Sequence, residues 1–178
     1  IGDGELDKLD LRSWRLALNG AEPIDCVTLK KFCDNFRGCG LRENIFLPVY
    51  GMAENSLAAT FPSLEAATVV RRFDRQRLEE HQRAVDAASD DPRQVIDLVS
   101  VAFPLPGQQV RIVDNDGSTL REGEVGQILI QSPSMTRAYY KNPEATRQAI
   151  RDGWLYTGDL GFIRDGRLRA LGVGTRQR

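Results

Sequence analysis

Residues 14–51 read WRLALNGAEPIDCVTLKKFCDNFRGCGLRENIFLPVYG, and two apolar runs in them, Trp14–Asn19 and Ile45–Tyr50, each end at a glycine. Both predict buried strands. Between them Leu29, Phe32, Cys33 and Phe36 fall at helical spacing, with Lys30, Lys31, Asp34 and Arg37 on the other face. That pattern predicts an amphipathic helix, capped by Asp25 and stopped near Gly38 or Gly40. Strand, crossover helix and strand over so short a distance imply a parallel pair with a right-handed connection. Parallel strands place their C-terminal ends on one edge. The turn Gly20-Ala21-Glu22 and the turn Tyr50-Gly51-Met52-Ala53-Glu54 should therefore open on the same side, where open α/β sheets bind ligands.

Downstream, FDRQRLEEHQRAVDAAS from Phe73 to Ser89 is strongly polar with a thin apolar stripe, which predicts a solvated helix followed by the loop Asp90-Asp91-Pro92. From about Val99 the period changes to two. Val110 and Ile112, then Ile128 and Ile130, flank the turn Asn115–Ser118, and a second hairpin is expected across Arg164-Asp165-Gly166. A helix should begin at Asn142-Pro143, with its cap and first-turn proline in place. The expected class is α/β: one parallel βαβ unit in 1–62, a polar insertion or linker in 63–98, and a small antiparallel β-barrel-like part in 99–178.

The chain has 178 residues, 41% hydrophobic and 28% charged, enough to form a packed core. Its 24 basic and 25 acidic residues leave a formal charge of −1, which gives no footprint for nucleic acid or an anionic membrane. No apolar run approaches the roughly 20 residues of a membrane span, and the first residues lack a signal-peptide pattern, so a cytoplasmic protein is expected. Cys26, Cys33 and Cys39 are odd in number, and the one histidine, His81, is distant; structural thiols are expected rather than a disulfide or zinc site. An initial Ile1 and an end directly after a strand-like segment suggest a piece of a longer protein.

Taken alone, YGMAE (50–54) and TGDLG (157–161) are glycine turns beside acids. In the order NGAEP, YGMAE, PLPGQQVRIVD, GEVGQILIQSPSMTRAYYKNPEAT and GWLYTGDLGFIRDG, the chain resembles the adenylate-forming enzyme superfamily over nearly its whole length. LDLRSWRLALNGAEPI, Ala53 in YGMAENSLAATF, and the polar stretch from about Phe73 to Asp97 resemble the fatty acyl-AMP ligase branch. The resemblance implies activation of a fatty acid with ATP and Mg²⁺ to an acyl-adenylate, and delivery to an acyl carrier protein on a separate chain or the same polypeptide, in lipid or polyketide biosynthesis. An acyl-CoA synthetase, an amino-acid adenylation domain and a catalytically inactive nucleotide-binding remnant are the alternatives.

By the same resemblance, the backbone of Gly20, Ala21 and Glu22 lines an adenine, and Tyr50 lies against its face unless it is core packing. Glu54 is the catalytic and metal-binding acid, holding Mg²⁺ against the phosphates, unless it is solvated or caps a helix. Asp159 accepts both ribose hydroxyls, unless it bonds only its own backbone. Gly51 supplies a turn, while Met52 and Ala53 border the nucleotide or acyl pocket. The phosphate loop is expected upstream of Ile1 and the mobile C-terminal domain downstream of Arg178, so the chain alone should not adenylate. The family's usual LxxTGRxKD reads LRALGVGTRQR here; Val173 takes the arginine position, and Arg176 could replace it only by a shift in register.

Overall fold

A computed structural model describes residues 3–173 of the chain. A short helix α1 (Asp3–Leu6) leads to strand β1 (Ala17–Asn19), helix α2 (Cys26–Phe36) and strand β2 (Phe46–Pro48). β1 and β2 pair in parallel, with Leu18 opposite Leu47. The first strand is shorter than its apolar run: Trp14 closes a turn onto Leu11 and its indole N–H donates to Leu16 O, so the chain turns before it extends.

α2 follows its sequence closely. The Asp25 carboxylate accepts from Val27 N and Thr28 N, and a 3-10 turn at Arg37–Cys39 ends at Gly40 with φ +83°. Leu29, Phe32, Cys33 and Phe36 are half-buried, as is Cys26 at its start. Phe32 packs edge-on to Trp14 and Phe46, with ring centroids 6.2 and 5.4 Å away. The second run does not continue to Tyr50 as one strand. Val49 N completes the parallel ladder on Asn19 O, and the chain then leaves the sheet. Strand β3 (Tyr50–Gly51) pairs antiparallel with β4 (Ala58–Phe61).

The polar stretch is not one long helix. Strand β5 (Val70–Asp74) precedes helix α3 (Arg75–His81), which Asp74 caps by accepting from Arg77 N and which stops at Gln82 with φ +52°. Beyond it Arg83 and Asp86 make bridges to Glu124 and Phe73. Strand β6 (Val95–Val99) pairs antiparallel with β5 along its whole length. The stretch reads as polar because ion pairs lace its surface, Arg71 with Asp86, Arg72 with Asp97 and Arg83 with Glu124. One residue in it is fully buried: Phe73 stacks edge-on to Phe162 at 5.2 Å. The Arg169 guanidinium, 1% exposed, lies 5.4 Å from the Phe73 ring and 6.0 Å from that of Phe162.

Strand β7 (Phe103–Pro104) joins β4, while β8 (Gln109–Val113) and β9 (Gly126–Gln131) form the expected hairpin. Helix α4 (Pro143–Ala149), capped by Asn142, leads into β10 (Ile150–Arg151), β11 (Trp154–Arg164) and β12 (Arg167–Val173). The sheet runs β10-β11-β9-β8, with β12 also on β11, and register shifts in β11 curl it into a half-barrel. Ile112, Ile128, Ile130, Leu155 and Leu168 fill its concave side, and Tyr50 and Ala59 join the same cluster from the other sheet.

Candidate active site

Three segments distant in sequence meet where the parallel pair abuts the half-barrel. The first is the Gly20–Glu22 turn after β1. A Cβ on Gly20 would stand 2.7 Å from Val49 O, so only glycine lets β1 end this close to the second strand. Ala21 follows at φ +73°, a conformation that costs a side-chain-bearing residue of order 1–2 kcal/mol. A Cβ on Gly172 of β12 would lie 3.1 Å from the Pro23 ring, so the end of β12 rests against this turn.

The second segment is Tyr50–Glu54. Tyr50 is 9% exposed, and its phenol donates to Asp159 Oδ2 at 2.7 Å. Burial, then this hydrogen bond, pushes the phenol well above the usual tyrosine range. A Cβ on Gly51 would sit 1.8 Å from Leu57 O, so no side chain is possible there without moving the backbone. Met52 is half-buried against the core, Ala53 is exposed, and Glu54 sits on a 3-10 turn, half-buried. Its Oε1 accepts from the Tyr139 phenol at 2.8 Å and its carbonyl from Thr136 N at 2.6 Å. The bond to Glu54, then burial, raises the Tyr139 phenol.

The third segment is Thr157–Asp159. The expected turn is instead a break in register within the continuous strand β11, where Gly158 has φ +82°. Asp159 N donates to Thr157 Oγ1, which donates in turn to Ile128 O. Gly158 has open space where a Cβ would go, so its conformation alone demands glycine. Gly158→Ala should lower unfolding stability by about 1–2 kcal/mol in urea denaturation.

Tyr50 and Asp159 are thus in direct contact, the Gly20–Glu22 turn lies alongside, and Glu54 stands at the far end of the Tyr50–Glu54 segment, at most about 14 Å along the chain. The side chain of Glu22 is exposed. Two hollows of the described surface lie away from these residues, one walled by Arg83, Asp86, Glu122 and Arg164, the other by Cys33, Arg37 and Arg42. Tyr139 and Thr157 were not singled out from sequence. Tyr139 sits in the quoted YYKNPE block, but nothing in its spacing reveals a partner 85 residues away. Among the described residues no group of three or more His, Cys, Asp or Glu could hold a metal ion. Val173 pairs through its backbone with Asp159, and Arg176 lies outside the described residues.

A parallel pair set against a curled antiparallel half-barrel is the frame of the adenylate-forming enzymes. Residues 3–140 match the AMP-binding enzyme family, and the chain belongs to it. It is 36% identical over 168 residues to a Caulobacter vibrioides protein whose name provisionally assigns it to the acyl-CoA synthetases, covering 94% of this chain and 29% of that one. It is 33% identical over 175 residues to the medium-chain-fatty-acid–[acyl-carrier-protein] ligase JamA of Moorena producens, covering 92% and 29%. Its fold matches the fatty acyl-adenylate ligase of L. pneumophila, solved in complex with acyl adenylate and pyrophosphate, at a TM-score of 0.88 and 32% identity, covering 97% and 31%. The chain therefore spans about three-tenths of the length of these relatives.

Proposed function

We propose that this chain is the AMP-gripping part of a fatty acyl-AMP ligase, with 1–62, 63–98 and 99–178 as its nucleotide-binding, insertion and barrel parts. The observation that carries the reading is the Tyr50–Asp159 hydrogen bond beside the Gly20–Glu22 turn. In it, the backbone of Gly20, Ala21 and Glu22 reads the adenine edge, and the Tyr50 ring covers its face. Asp159 keeps Oδ1 and a second lone pair of Oδ2 for the two ribose hydroxyls. Gly51, Met52 and Ala53 carry the chain past the α-phosphate to Glu54.

The reaction is attack of a fatty-acid carboxylate on the α-phosphorus of ATP, with pyrophosphate leaving. Two anions must meet, so catalysis here is positioning and charge compensation. Mg²⁺ is bound through one or two carboxylates and the substrate phosphates, and Glu54 fits that demand: it is half-buried, with one oxygen engaged by Tyr139 and Oε2 unengaged by any hydrogen bond described. The ion would supply positive charge at the phosphates. Glu54 would hold it there, while Asp159 and Tyr50 hold the nucleoside.

The acceptor is read as an acyl carrier protein in the cytoplasm; no helix among the described residues is long and apolar enough to cross a membrane. The test is pyrophosphate exchange into ATP by the full-length protein. Exchange should require a fatty acid, and exchange driven equally by amino acids would overturn the reading. A second reading, an acyl-CoA synthetase, is favoured by the name of the Caulobacter relative. A thioester on free coenzyme A without carrier protein would select it.

A further inference from the structure

The loop Ser132–Tyr139 clasps the 3-10 turn that carries Glu54. Thr136 N donates to Glu54 O at 2.6 Å, Ser56 Oγ donates to Ser134 O at 2.7 Å, and Ser134 Oγ donates to Asn55 O at 3.4 Å. From below, Asn55, 1% exposed, anchors the turn by donating to Ala58 O and to Gln108 Oε1. These contacts fix the backbone of the turn. They leave the carboxylate free to rotate, because the terminal torsion of a glutamate is broad.

One contact removes that freedom. The Tyr139 phenol reaches Glu54 Oε1 at 2.8 Å, and the base of Tyr139 is itself held, its N–H donating to Thr146 Oγ1 at 2.9 Å in the first turns of α4. The neighbouring Tyr140 differs in kind: it is 87% exposed, with Lys141 over its ring. Of two adjacent phenols, the fold commits one to the acid.

We propose that Tyr139 is a positioning residue for Glu54, its phenol occupying Oε1 and leaving Oε2 as the oxygen offered to a divalent cation on the nucleotide phosphates. The proposal rests on the metal-holding reading of Glu54. A hydrogen bond to a charged group holds one carboxylate rotamer against the others, so its loss should weaken cation binding and leave the fatty-acid site unaffected.

The test uses the full-length protein with Mn²⁺ and a non-hydrolysable ATP analogue, read by electron paramagnetic resonance, and the Mg²⁺ dependence of pyrophosphate exchange. Tyr139→Phe should raise the Mn²⁺ dissociation constant and the half-saturating Mg²⁺ concentration together, by roughly three- to tenfold. The KM for fatty acid and the thermal midpoint should stay put. Tyr140→Phe should change nothing, and Tyr139→Phe should add nothing in a Glu54→Gln background. If Tyr139→Phe binds Mn²⁺ like the parent while Glu54→Gln does not, the positioning role is wrong and the Glu54 reading stands. Full additivity of the two substitutions would overturn it as well. If Glu54→Gln itself binds Mn²⁺ normally, the reading of Glu54 fails, and the role of Tyr139 with it.

Discussion

Asp159→Ala in the full-length protein should weaken AMP binding about 100-fold or more by calorimetry, with pyrophosphate exchange falling at least as far. Each ribose hydroxyl donating to an ionised carboxylate contributes roughly 1.5–3 kcal/mol. Asp159 is half-buried, so the lower end applies, and two such bonds give about 3 kcal/mol. The substitution also strips the buried Tyr50 phenol of its acceptor. Tyr50→Phe separates the two effects, because it removes the phenol–acid bond while keeping the ring for the base; it should cost far less than Asp159→Ala. AMP affinity within twofold of the parent in Asp159→Ala would remove the nucleoside from Tyr50 and Asp159 altogether.

The second large effect concerns stability. Phe73→Ala should lower the free energy of unfolding by about 3–5 kcal/mol, measured by urea denaturation at constant pH. Phe73 has no exposure, shares its cluster with Leu78, Ala84, Val125 and Phe162, and stacks edge-on to Phe162. Truncation leaves a cavity under the Arg169 guanidinium, whose Nε has no hydrogen-bond partner among the described residues, so the site has little means of collapsing favourably. A loss under about 1 kcal/mol would mean that the β5–β6 hairpin is an appendage and not part of the core.

That hairpin is also where the sequence was least legible. α2 declares itself, because its apolar spacing, Asp25 cap and Gly40 stop all agree. The hairpins of the half-barrel are legible for the same reason, since alternation and turn residues coincide in Val110–Ile130 and Phe162–Leu171. β5 and β6 carry outward Arg and Asp residues that pair across the strands, and by composition these resemble the flank of a solvated helix. The tertiary contacts of Phe73, Phe162 among them, show which of its sides is inside. The break in β11 misleads in the opposite direction. Gly158 and Asp159 have the composition of a turn, yet the strand continues because β9 and β12 hold both of its flanks. The motifs are legible in their order, and the structure brings residues of two of them, Tyr50 and Asp159, into contact. Thr157 and Tyr139 are not legible in the sequence because their partners are set by tertiary register.

The placement of Asp159 on β11 has a thermodynamic consequence. That strand borders β9, β10 and β12, so the carboxylate is mounted on the element that most of its sheet leans upon. Its orientation is settled when the sheet assembles. The loss of torsional freedom is incurred during folding, and on the proposed reading a nucleotide arriving later would meet an acceptor already aimed. Affinity at such a position is inherited from the architecture and does not have to be rebuilt with each encounter.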